Sequence, residues 1–94
     1  MLKVDFQGVQ QFSISGDATI YDAGRLVAAL AGLDLAADGD IRVDLASLEA
    51  LDVAGVQILV AFRRHLGAAR VSFHNIPAHI LQTLRLGGME CHLR

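Results

Sequence analysis

The chain has 94 residues, 53% of them hydrophobic and 19% charged, which describes one compact globular domain over residues 1–94 with no room for a second. Net charge is −2 and the pI is about 6.0, so nothing recommends DNA, RNA or an anionic membrane as a partner. Cys91 is the lone cysteine and cannot form an internal disulfide, which fits a reducing compartment and a cytoplasmic protein.

Leu2, Val4 and Phe6 alternate with polar neighbours, as do Phe12 and Ile14, so both segments read as half-buried strands joined around Gly8. The opening Met1-Leu2-Lys3-Val4-Asp5 has no apolar signal-peptide core and reads as mature protein. Gly16-Asp17 is expected to end the second strand. Across residues 20–33, Ala23, Leu26, Val27, Leu30 and Leu33 recur at helical spacing and predict one amphipathic helix. Residues 34–40, with Asp38-Gly39-Asp40, read as a turn.

Ile41, Val43 and Leu45 predict a third strand, and Val71 with Phe73 a fourth. Between them residues 53–66 form a helix with Gly55, Ile58, Leu59, Phe62 and Leu66 on one face and Gly67 as its C-cap. Pro77 suits the first turn of a last helix, whose Ile80, Leu81 and Leu84 point inward and which Gly87-Gly88 stops. Residues 91–93 can add a short final strand. Strands alternating with helices favour a mixed sheet with parallel segments linked by right-handed crossovers. The longest helix is too short, and too interrupted by Arg63, Arg64 and His65, to span a bilayer.

No catalytic constellation assembles, and no enzyme activity is expected. His65, His74, His79, His92 and Cys91 show neither HxxxH nor CxxC spacing, so surface histidines are the plainer reading and no metal is expected. Cys91 and His92 are adjacent, and adjacent residues on a strand face opposite ways, which disfavours a nucleophile pair. No GxGxxG or GxxxxGK[ST] loop exists, so no nucleotide cofactor is expected. Asp44 and Asp52 are paired carboxylates in principle; the plainer reading makes Asp52 a helix cap and Asp44 a turn or strand-end residue.

The most informative segment is Asp52-Val53-Ala54-Gly55, between the alternating run Ile41-Arg42-Val43-Asp44-Leu45 and the long apolar helix. Asp52 can cap that helix with its carboxylate, and the exposed N–H groups of such a junction suit anions. A hydroxyl just after the Asp would be a natural place for a regulatory phosphate. Val53 and Ala54 carry only methyl groups there, so no phosphorylation is expected at either. The helix also places Val53, Ala54, Val56 and Val60 outside its core stripe, and two readings stay open. Either neighbours bury it widely, or residues 53–57 form an exposed apolar patch for another protein. With five aromatics and no Trp, such a patch would rely on shape and small side chains.

The run from Ile41 through Asp44-Leu45 and Asp52-Val53-Ala54-Gly55 to Val56 resembles the core signature of the STAS domain, the sulfate-transporter and anti-sigma-factor-antagonist family. There a strand ending in Asp-Leu is followed by a spacer and by Asp-Ser-Ser/Thr-Gly opening a helix. Ser15-Gly16-Asp17-Ala18-Thr19 is similar to the family's Gly-Glu-Leu-Asp turn. Leu84-Arg85-Leu86-Gly87-Gly88-Met89 is similar to its leucine-rich last helix. The resemblance covers nearly the whole chain. It implies an α/β fold with a mixed sheet of about four to five strands and about three to four helices packed mainly on one face.

It further implies a non-catalytic regulatory module that binds a protein through Asp52, Val53, Ala54, Gly55, Val56 and Gln57, with Thr19 nearby. Switching members are phosphorylated on a hydroxyl of the Asp-Ser-Ser/Thr-Gly segment, which breaks the complex with a kinase-like anti-sigma factor. Val53 and Ala54 do not carry that switch over, and Thr19 stands where the family has an acidic residue. The leading expectation is an anti-sigma-factor-antagonist-like adaptor in a constitutive form. The alternative is a STAS subunit binding the ATPase of a bacterial phospholipid-trafficking ABC system, whose single-domain members lack the serine pair. Thr19 and Ser47 are the hydroxyls left to take over a lost phosphosite.

Overall fold

The computed structural model describes residues 2–8, 10–33, 35, 39–89 and 93. The elements run β1 (Lys3–Gly8), β2 (Gln11–Ala18), a 3₁₀ turn (Ile20–Asp22), α1 (Ala23–Ala31), β3 (Ile41–Asp44), β4 (Leu48–Leu51), α2 (Val53–Leu66), β5 (Val71–His74) and α3 (Ala78–Leu86). The expected turn at 34–40 and final strand at 91–93 fall largely outside the described residues; of the latter, Leu93 is buried in the core.

The period-two pattern of β2 organises the sheet. Phe12, Ile14 and Ala18 are buried while Ser13, Ser15 and Asp17 are half-buried, so one face carries the core and the other a polar surface. Among the described residues five strands pair in the order β1-β2-β3-β5, with β4 also beside β2. β1 and β2 form an antiparallel hairpin, whereas β2 with β3, β2 with β4 and β3 with β5 are parallel. The mixed α/β sheet expected from the sequence is the one observed.

Two expectations about strands need correction. Gly16-Asp17 does not end β2, which continues to Ala18. Gly16 adopts φ 83°, open to glycine at little cost, and the ladder shifts register between Gly16 and Asp17. That bulge lets β2 change neighbours: residues 11–13 pair with β3, whereas Gly16, Asp17 and Ala18 pair with β4. β4 itself was not expected, because Leu48-Glu49-Ala50-Leu51 is short and lacks apolar alternation.

The expected helix over residues 20–33 is shorter. Its first turn is the 3₁₀ segment Ile20–Asp22, and α1 ends at Ala31, with Leu33 half-buried beyond it. Leu26 and Leu30 of α1 are buried, while Val27 is largely exposed. α2 has the expected bounds, with Gly67 as C-cap at φ 111°. Its inward face differs from expectation: Val56 is 3% exposed and joins Gly55 and Leu59 in the interior, while Ile58, Phe62 and Leu66 are only partly buried against the core. Pro77 stands at the N-cap of α3, one residue before the helix, and Ile80 and Leu84 point into the core with Leu81 half-buried.

Candidate protein-docking site

Asp52 holds the start of α2 together. Its extended backbone turns the chain out of β4, and its Oδ1 accepts from the Gly55 N–H at 3.0 Å, satisfying one of the free donors of the first helical turn. Its Oδ2 accepts from the Ile20 N–H at 2.9 Å. A single carboxylate therefore caps α2 and ties the 3₁₀ turn to it across 32 residues of sequence. The Asp52 N–H completes the link by donating to the Ala18 carbonyl at 3.4 Å.

Close approach makes Gly55 necessary here. A Cβ on Gly55 would run into the Ala18 carbonyl oxygen and the Leu51 side chain, so α2 starts as near to the end of β2 as backbone contact permits. Thr19, half-buried, caps nothing with its hydroxyl and follows Ala18 directly. The segment expected from resemblance to lie near the helix start does lie there.

The seven residues singled out from sequence do not share one exposure. Val53 (54% exposed) and Gln57 face solvent. Asp52, Ala54 and Thr19 are half-buried, and Gly55 and Val56 point inward. Beside Val53 the 3₁₀ turn presents two apolar side chains that sequence reasoning missed, Ile20 at 66% and Tyr21 at 95% exposure. Tyr21 lies off the helical stripe of Ala23, Leu26, Val27 and Leu30, whereas Ile20 keeps its i+3 and i+7 spacing to Ala23 and Val27 and so reads as part of the helix.

From Val53 an open groove of about 740 Å³ runs along α2 past Gln57, Val60 and Ala61 to Arg64 and His65. The groove is mostly apolar and ends at the Arg64 guanidinium, and the exposed Ile20 and Tyr21 stand on the 3₁₀ turn that Asp52 ties to the same helix start. Arg63 is turned away from the groove and lies over the Phe73 ring at 5.4 Å.

Of the remaining candidates for chemistry, Asp44 and His74 are cross-strand neighbours in the β3–β5 register, while His79 lies on α3. Asp44 Oδ1 accepts from the Ala46 N–H at 2.8 Å and so closes the β3–β4 turn, the strand-end role read from sequence. His79 bonds the Glu49 carbonyl oxygen at 2.9 Å through Nε2, and His74 Nε2 lies 2.7 Å from Ser72 Oγ. Among the described residues no group of three His, Cys, Asp or Glu side chains could hold a metal ion. Among the same residues no helix is long and apolar enough to cross a membrane.

No curated protein matches the chain. A family model described as "Mlab, STAS domain" matches residues 2–94. The mixed sheet, the capped helix start behind β4 and a match over essentially the whole chain agree, and the chain belongs to the STAS domain family.

Proposed function

We propose that this protein is a non-catalytic docking subunit of the cytoplasm that binds a partner protein constitutively through the start of α2 and the adjoining 3₁₀ turn. The observation that carries the reading is the apolar surface of Ile20, Tyr21 and Val53, held in place by Asp52 and containing no hydroxyl at residues 53 or 54. Exposed apolar side chains of this size on a small domain are costly to solvate and mark contact surfaces. A helix start with Val and Ala after the capping Asp has no acceptor for phosphate, so the contact is not broken by phosphorylation there.

Permanent docking suits a subunit of a standing assembly better than a switched regulator. The partner we favour is accordingly the ATPase of a phospholipid-trafficking ABC system, whose single-domain STAS members this chain resembles in lacking the serine pair. An anti-sigma-factor-antagonist role in constitutive form is the second reading, and the overall resemblance to that branch supports it.

Titration calorimetry with the purified chain distinguishes the two. The ABC ATPase from the same cell should bind, whereas an anti-sigma kinase domain should not. Val53→Asp and Tyr21→Ala should each weaken the ATPase complex at least about tenfold, because the patch must then desolvate a carboxylate or lose its largest side chain. Binding to the kinase domain alone would select the second reading. Unchanged affinity in both folded variants would place the contact elsewhere.

A further inference from the structure

We propose that β1 is a self-complementary edge through which two copies of this chain join their sheets in an antiparallel dimer. β1 lies at one end of the sheet order, and among the described residues no strand pairs with its outer side. In an antiparallel ladder alternate residues send both backbone groups to the same neighbour, so β1 retains a row of outward N–H and C=O groups. Such an edge accepts another strand unless charge or shape forbids it.

Charge selects both the occupant and the register. Lys3 and Asp5 stand two residues apart on the polar face, with Nζ and Oδ2 3.7 Å apart and side chains 71% and 50% exposed. Pairing two copies about a twofold axis through Val4 sets Lys3 against Asp5 of the second copy and Asp5 against its Lys3. The four charges then alternate around a square, and each side of that square is attractive. On the other face the same register sets Phe6, 53% exposed, against Leu2 of the second copy, and Val4 against Val4.

Neighbouring registers fail. Centring on Lys3 or on Asp5 brings like charges together, and centring on Phe6 leaves Lys3 with no carboxylate opposite. A centre between two residues sets outward backbone groups against inward ones. One short strand from each copy buries less than the ~1,200–2,000 Å² of standard stable complexes, so the dimer is weak and concentration-dependent.

Sedimentation equilibrium of the full chain tests this with four proteins: wild type, Lys3→Glu, Asp5→Lys and the double variant. The wild type should dimerise at high micromolar concentration and dissociate on dilution. Each single reversal should weaken association at least about tenfold, and the double variant should recover to within about threefold of wild type. Circular dichroism melts serve as the fold control, since both side chains are exposed. If a reversal variant does not fold, hydrogen exchange of the wild type replaces it, with β1 outer-edge amides gaining protection as concentration rises. A wild type that stays monomeric, a dimer indifferent to the single reversals, no recovery in the double variant, or concentration-independent exchange overturns the proposal. Because these variants lie outside α2 and the 3₁₀ turn, their outcome is independent of ATPase binding.

Discussion

Gly55 in the first turn of α2 lies directly against the carbonyl oxygen of Ala18 at the end of β2. The contact fixes how closely helix and sheet approach. It also reverses the usual effect of a helical glycine, which costs about 0.5–1 kcal/mol relative to Ala where space is free. Gly55→Ala should therefore destabilise by about 1–3 kcal/mol through overpacking. Gly24→Ala in α1, where an added Cβ meets nothing within 4 Å, should instead stabilise by about 0.4–1 kcal/mol. Urea denaturation of both variants reads the opposite signs, and a stabilised Gly55→Ala would show that the helix start is free to move away.

Asp52 makes two separable contributions. Asp52→Ala removes the cap and the Ile20 bond together and should cost about 1–3 kcal/mol. Asn caps as well as Asp but has one oxygen instead of two, so Asp52→Asn should keep the Gly55 bond and lose the one to Ile20. Its stability should fall between Ala and wild type. The NMR amide shift of Ile20 should move while that of Gly55 holds. Equal loss in both variants would contradict the division of labour between Oδ1 and Oδ2.

Core and surface of α2 should separate by substitution. Leu59 is fully buried, and Leu59→Ala should cost about 2–5 kcal/mol. Val53 is half in solvent at a helix start, where an added negative charge is worth about 0.3–1 kcal/mol in favour of the fold, so Val53→Asp should melt close to wild type. If Val53→Asp melts as early as Leu59→Ala, the first turn is interior and no docking surface exists there.

Incubation with ATP and an anti-sigma kinase should leave the intact mass unchanged. Val53 and Ala54 have no acceptor atom. A gain of one phosphate mapped to the exposed Ser47 of the β3–β4 turn or to Thr19 would mean that the switch has moved along the chain.

The features legible in the sequence were those with local causes. The bounds of α2 followed from a capping Asp52 and a positive-φ Gly67, and the alternation of β2 followed from period-two burial. What escaped depends on contacts distant in sequence. β4 has four residues and no pattern of its own, and it exists because Gly16 bulges β2 toward it. Val56 looked like a surface residue of an over-apolar helix, yet the close approach at Gly55 carries it inward. Ile20 and Tyr21 looked like helix entry, but the 3₁₀ turn directs them to solvent.

The bond from Ile20 to Asp52 spans 32 residues, so the surface it assembles belongs to the folded chain alone. A peptide copying α2 lacks Ile20 and Tyr21, and a helix of 14 residues is marginal in water, so it should be a poor competitor for the partner. The same fact links recognition to folding. A partner that engages the native form only adds about 2.7 kcal/mol to its stability when present at a hundred times the dissociation constant. A small domain of narrow stability margin would thus be longest-lived inside its assembly, with unassembled copies the first to open and be degraded.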